Sequence, residues 1–382
     1  MRSNYKRLGN YIQPVNNRNN NLDELPLLGV SIQKVLMPSI ANTIGTDMST
    51  YKLIEKNQFA YGAVTSRNGD KISIALLYEF DKALVSQAYT VFEIIDTKEL
   101  LPEYLMMWFS RPEFDRFARY HSYGSARETF DWQEMIEVLL PVPSPTKQQE
   151  IINEYHTITN RIKINEQLIQ KLDETAQAIY KEWFVDFDFP NKEGKPYKSS
   201  GGEMVESVLG LIPKGWRVGI LNDIIEITSG KTPNEKIDLK DNIFKNPIYG
   251  AGGIMGYSNE FLFNEKLLSI GRVGTHGVVQ RINFPCWTSD NTLVIKSKYY
   301  EYVNQILNNI NYDEINRGGV QGLITQTDIK NHITIIPTES ISVNFEIALQ
   351  KIMILADFKK IDIEKTDELR DLLLAKLATI EN

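Results

Sequence analysis

The sequence predicts an α+β protein in which two similar mixed α/β domains are separated by two long antiparallel helices that pair like a coiled coil. Three observations carry this. An apolar period of 3.5 runs unbroken from Ile151 to Trp183, a second helical segment spans Asn344 to Leu377, and short motifs of the first half recur in the second.

The central helix, 146–184, is the firmest element. Steps of four and three residues from Ile151 reach Tyr155, Ile158, Ile162, Asn165, Ile169, Leu172, Ala176, Ile179 and Trp183. That is the seam of a heptad helix, and no Gly or Pro interrupts it. At 1.5 Å per residue the rod is roughly 54 Å long. Asn165 is the polar seam residue, suited either to setting register or to facing a solvent gap. In the distal helix, 341–382, Ile347, Ile354, Phe358, Ile361, Leu369 and Leu372 follow the same spacing less strictly.

The block 1–145 reads as mixed. Asn16 to Asn21 is a polar turn, and Phe59–Gly62 and Val85–Ile94 are strand segments. Pro102 to Ala118 is helical and is kinked or divided at Pro112. A turn-rich loop, Tyr123 to Thr129, precedes a last strand ending at Pro141. Residues 185–211 form a link whose stretch from Asp186 to Gly202 is polar and rich in Gly and Ser. A second block, 212–340, opens on Ile212-Pro-Lys-Gly-Trp-Arg217. The halves correspond: Leu8–Ile12 with Leu221–Ile225, Ser86–Phe92 with Ser289–Ile295, and Val138–Pro141 with Thr334–Pro337, each last pair leading into a helix.

Connectivity then implies geometry. A block of this size has a radius of gyration of roughly 14 Å and cannot easily carry the chain back along the rod. The helices are therefore expected to lie antiparallel with a head at each end, a pseudo-twofold dumbbell. Two like heads at a fixed separation suit a partner with two oppositely oriented half-sites, as duplex DNA offers.

The bulk numbers neither exclude nor require DNA. Net charge is −7, but residues 1–140 carry 15 basic against 17 acidic side chains and 204–340 carry 13 against 14, so basic faces remain possible on both blocks. One cysteine, Cys286, rules out an internal disulfide framework and suits a reducing cytoplasm, where it is expected as a packed apolar residue. Neither a signal core nor a membrane span is read.

Apparent catalytic motifs fail on context. Ser229-Gly-Lys-Thr232 lacks the earlier glycine of a phosphate-binding loop, since position 225 is Ile. Asn246-Pro-Ile-Tyr249 lies one residue from the loop with which amino-methyltransferases hold a base, beside Gly250-Ala-Gly-Gly253. The doubly wound sheet such an enzyme needs is not read in this block. His121, His156, His276 and His332 fall at no metal-ligand spacing. The chain reads as having no catalytic centre.

The run Ala178-Ile-Tyr-Lys-Glu-Trp-Phe-Val-Asp-Phe187, followed by Pro190, Gly194–Tyr197, Ser200–Met204 and Gly210-Leu-Ile-Pro-Lys-Gly-Trp216, resembles the central region of specificity subunits of Type I restriction–modification enzymes. Gly124–Trp132 and Leu140–Pro143 with Gln148-Gln149 look like the end of a first target-recognition domain of that family. Ser269–Thr275 with Pro285–Asn291 looks like the second. The likeness covers nearly the whole chain; Gly318-Gly319 with Gln321 matches Gly124-Ser125 only loosely. It implies that each domain reads half of a bipartite DNA target while the helices set the spacer and dock two modification (methyltransferase) subunits, with restriction (translocase-nuclease) subunits joining. S-adenosylmethionine, ATP and Mg²⁺ would belong to those partners and no cofactor to this chain. Two competing readings are a two-headed protein-binding scaffold without DNA specificity, and a DNA amino-methyltransferase using the Asn246-Pro247 loop.

Candidate DNA contacts follow from charge and turn context. Arg127, beside Ser125 in a glycine-containing loop, is placed first for a guanine edge; the competing partners are Glu128, Asp131 or a phosphate. Arg67 and Asn68 form a turn suited to phosphate. Arg272, His276 and Arg281 cluster around the Gly271/Gly274/Gly277 turn, and Arg317, Gln321 and Thr325 occupy the place of the Arg127 loop. Tyr61 and Tyr123 either stack on bases or fill the core. Trp183, Phe184 and Val185 either dock a partner or close the helix pair onto the second domain.

Overall fold

The computed structural model describes residues 5–41, 45–66, 68–69, 71–124, 127–273, 277–315 and 323–380. The chain divides into two compact units, Met1–Glu166 with Ile361–Asn382, and Gln167–Lys360. Each long helix is thus shared between the units: the central helix is Pro145–Phe184 and the distal helix Glu339–Lys376.

The first unit holds two four-stranded sheets. One runs Ile12–Val15, Thr90–Ile94, Phe59–Gly62, Ser73–Leu76, all antiparallel. The other runs Leu36–Pro38, Leu27–Val30, Lys82–Val85, Lys52–Glu55, with its middle pair parallel. A ribbon of Tyr5–Arg7 with Leu139–Pro141 closes the head. Proline at the first position starts both Pro102–Phe109 and Pro112–Tyr120, so the helical stretch is divided where φ is pre-set and no N–H is lost. Stacked Phe59 and Phe92, 4.7 Å apart, with Phe109 edge-on to both, form the centre of the core. Gln148, fully buried, ties the start of the central helix to this head: its amide donates to Glu99 and Pro143 carbonyls and its oxygen accepts from Leu101 N, each at 2.8 Å.

The second unit repeats the plan. Its four-stranded sheet runs Glu226–Ser229, Thr292–Lys296, Leu267–Gly271, Val279–Ile282, the same order as in the first unit. The companion sheet runs Gly253–Ser258, Asn246–Gly250, Trp287–Thr288, again with a parallel pair. Arg217–Ile220 pairs with Ile333–Ile336 as the closing ribbon. Tyr300–Asn309 takes the place of Pro102–Phe109, and Gln326–Lys330 that of Trp132–Glu137.

Within each unit the two long helices run antiparallel. In the first, Ile151 and Ile152 share a core with Leu373, Leu374 and Leu377, while Arg161 and Asn165 reach Asp362. Asn165 is buried and donates to Asp362 Oδ2 at 2.8 Å, so it makes a polar cross-link and faces no solvent gap. In the second, Ala176, Trp183 and Phe184 pack with Phe345, Leu349 and Met353.

Several expectations need correction. The distal helix buries Phe345, Leu349, Met353 and Ala356, whereas the spaced set Ile347, Ile354, Phe358, Ile361, Leu369 and Leu372 is exposed. Val85–Ile94 is two strands joined by a turn, and a short helix, Trp132–Glu137, precedes the last strand of the head. The link 185–211 is packed as well as polar: Phe187 and Phe189 are buried against Trp216, Asp188 accepts from Ser199, and Met204–Ser207 forms a hairpin with Gly210–Pro213.

Candidate nucleic-acid interface

In the first unit the exposed polar loop is held from three sides. Tyr123 and Thr129 exchange backbone hydrogen bonds of 3.0 and 2.9 Å, closing the loop between them. Thr65 N donates to Glu128 O and Phe130 N to Ala63 O, so the loop rides on the end of strand Phe59–Gly62. Gly124 is required here: its φ is +139°, and a Cβ would sit 2.1 Å from the Arg127 carbonyl. Arg127 is exposed and, among the described residues, has no ion-pair partner; Glu128 is engaged by Arg119 instead. Tyr123 is 62% exposed, whereas Tyr61 is core, its hydroxyl pushed up to about 12 by burial.

Asn68 is not free for a phosphate: its amide donates to Val64 O at 3.1 Å and Ser73 Oγ at 3.0 Å, holding the turn. Arg67 and Ser125 lie outside the described residues, as do His276, Arg317 and Gln321.

The equivalent place in the second unit is defined by register. Val64 bridges Thr129, Val273 bridges Leu323, and Ile324 N donates to Arg272 O as Phe130 N does to Ala63 O. Leu323 thus stands where Thr129 does in the first head, and the residues just before it lie outside the described ones. Arg272 is half-buried beside this bridge, with its Nε lacking a partner among the described residues.

Two expected contacts are committed elsewhere. Thr325 caps helix Gln326–Lys330 in a reciprocal box with Asp328, because an N-terminal turn needs its orphan N–H groups met. Arg281 lies on strand Val279–Ile282 with only 7% of its side chain exposed. It donates to Glu301 at 2.6 Å and Asp357 at 2.9 Å, under the ring of Tyr300. Burial raises the Glu301 carboxyl pKa against the pull of Arg281. Trp183 and Phe184 close the helix pair onto the second head, and of that trio Val185 alone is exposed.

The apparent catalytic motifs resolve as strands and turns. Asn246-Pro-Ile-Tyr249 is a buried strand, and Ser229-Gly230 leaves a strand where a Cβ on Gly230 would strike the Thr288 and Ser289 carbonyls. Cys286 is buried in apolar surroundings that push its thiol up to about 12. Among the described residues no group of His, Cys, Asp and Glu is placed to hold a metal ion, and no helix is long and apolar enough to cross a membrane. Sequence reading missed Arg119: its partner Glu128 is nine residues away across a turn, and no helical or strand spacing links them.

The head is duplicated in strand order and loop anchor, and in its first copy the exposed side chains of Tyr123 and Arg127 stand on that anchored loop. The chain belongs to the family of the Type I restriction modification DNA specificity domain, whose model matches residues 15–174 and 213–370. It is 25% identical to the Type I restriction enzyme MjaIX specificity subunit of Methanocaldococcus jannaschii, over 74% of this chain and 70% of that one. It is 22% identical to the HindI specificity subunit of Haemophilus influenzae over 90% of each. In fold it is similar to the S subunit of a Type I restriction-modification system from M. genitalium, with TM-score 0.58, 12% identity, and 99% and 96% of the two chains covered. The part of this family in restriction–modification is DNA sequence specificity; catalysis lies with partner subunits.

Proposed function

We propose that each unit reads one half of a bipartite duplex target through the major groove, and that the long helices serve as spacer and as the docking element for two modification subunits. The observation that supports this is the repeated strand order with its repeated loop anchor, Val64 to Thr129 and Val273 to Leu323, at the end of the same strand in each head. In the first head Arg127 reads a guanine edge from the closed loop, with Tyr123 beside it.

The docking surface lies on the distal helix more than on Trp183 and Phe184. Its outward apolar positions include Ile347 and Phe358, which are 60% and 64% exposed. Such a stripe fits a partner helix laid along it. Restriction subunits join the same assembly in the cytoplasm, and S-adenosylmethionine, ATP and Mg²⁺ reside on the partners.

Mapping methylated adenines in a host carrying this chain with its modification subunits tests the reading. Two short half-sites separated by a fixed gap are expected. Arg127→Ala should lower discrimination by ~1–3 kcal/mol at a base pair within one half only. A single contiguous target, or methylation independent of sequence, would refute it.

A further inference from the structure

Arg127 is followed directly by Glu128, and in isolation this order is self-defeating. Neighbouring opposite charges on an exposed loop pair with each other, and a loose carboxylate beside the reading guanidinium repels phosphates. The fold disposes of the carboxylate. Its Oε2 accepts from Arg119 Nη1, while the Glu128 carbonyl accepts from Thr65 N at 3.0 Å and Thr65 Oγ1 at 3.2 Å. Arg119 comes from the last turn of helix Pro112–Tyr120, where a cation also complements the helix dipole. The close approach of Gly124 to the Arg127 carbonyl fixes the loop backbone on the opposite side. Among the described residues Arg127 is left without an ion-pair partner.

We propose that Arg119 is a positioning residue for target recognition: by holding the Glu128 carboxylate, it keeps the Arg127 guanidinium free for DNA. This rests on the reading of the loop as a DNA contact. Arg119 acts through its neighbour and touches no base. Both side chains of the Arg119–Glu128 pair are about two-fifths exposed, 40% and 39%. Exposed ion pairs shift an equilibrium by a factor of about 1.4–5, so a released Glu128 would compete for Arg127 on that scale.

The test uses the full chain assembled with its modification subunits, and the anisotropy of labelled duplexes carrying the mapped target or a scrambled first half-site, at one fixed salt concentration. Arg119→Ala should weaken target binding about two- to fivefold, and Arg119→Lys, which keeps the pairing charge, should retain most of it. The double variant Arg119→Ala/Glu128→Gln should return towards the wild-type affinity, because no carboxylate remains to be held. On an Arg127→Ala background, Arg119→Ala should change nothing further. A loss that persists in the Glu128→Gln double variant would overturn the positioning role and mark Arg119 as a phosphate contact or a loop support. If Arg127→Ala itself changes neither affinity nor discrimination, the loop is not a reader, and both the positioning role and the DNA-contact reading of this loop fall together.

Discussion

Replacing Arg281 should unfold the second unit long before it affects DNA. Its guanidinium bridges Glu301, whose side chain is 5% exposed, and Asp357, 26% exposed, which in turn accepts from Asn283 at 2.6 Å. Arg281→Met keeps most of the volume and removes the charge, leaving the Glu301 carboxylate buried beside Tyr300 without its hydrogen-bonded cation and with only the through-space pull of Lys266. Breaking a buried pair from one side costs about 3–5 kcal/mol. For a unit of residues 167–360, each 1 kcal/mol shifts Tm by roughly 2–4 °C, so the transition should fall by roughly 6–20 °C. Trp183, Trp216 and Trp287 lie in this unit but Trp108 and Trp132 in the first, so calorimetry resolving two transitions follows it. The double variant Arg281→Met/Glu301→Leu removes both charges and should recover most of the loss, since well-packed apolar replacements of buried pairs are often neutral. If Arg281→Met melts within 2 °C of wild type while target binding collapses, the buried network is not structural and Arg281 is a DNA contact after all.

Three further outcomes follow from local geometry. Glu346 on the distal helix accepts from Glu301 N and Tyr302 N, and burial pushes its carboxyl up to about 7. Because the folded value exceeds the ordinary one of 4.5, its stabilising contribution is present below that value and is lost as pH rises through about 7. Glu346→Gln should therefore flatten the melting temperature of the second unit between pH 5 and 8, and an unchanged slope would exclude Glu346 as its source. Gly124→Ala forces a Cβ to 2.1 Å from the Arg127 carbonyl at φ +139°, so it should distort the loop, weaken reading of one half-site about tenfold and cost the first unit about 1–3 kcal/mol of stability; methylation mapping and calorimetry check both. Phe358→Asp changes a residue 64% exposed, so melting should hold within ~0.5 kcal/mol while co-purification with the modification subunits drops; intact assembly would move the docking surface elsewhere.

Much of the fold was legible because its strongest signals are periodic and repeated. The central helix has one apolar seam among Lys, Glu and Gln, so its period had one solution. Ser86–Phe92 and Ser289–Ile295 proved to lead into strands at the same place in the two sheets, Thr90–Ile94 and Thr292–Lys296. What was not legible is short or long-range. Helix Trp132–Glu137 spans under two turns, too few for a period to register. Arg281 reads as a turn residue next to glycines, yet its partners stand 20 and 76 residues further along, and only the fold brings them together. Thr325 looks like a polar loop contact, although the Asp three residues on already marks a cap.

The distal helix shows why periodicity finds a seam without saying what fills it. Ile347, Ile354, Phe358 and Leu372 keep helical spacing, yet the central helix takes the other stripe: Phe345 packs against Trp183 and Phe184, and Leu373, Leu374 and Leu377 share the first head's core. A helix apolar on two stripes has two solutions, and side-chain fit to its neighbour decides between them. The polar outer faces of the central helix could not compete in this way, so its reading held where that of the distal helix did not. That choice leaves a stripe open to water, with Ile347, Phe358, Leu369 and Leu372 each more than half exposed, and it is this stripe that the Phe358→Asp experiment probes.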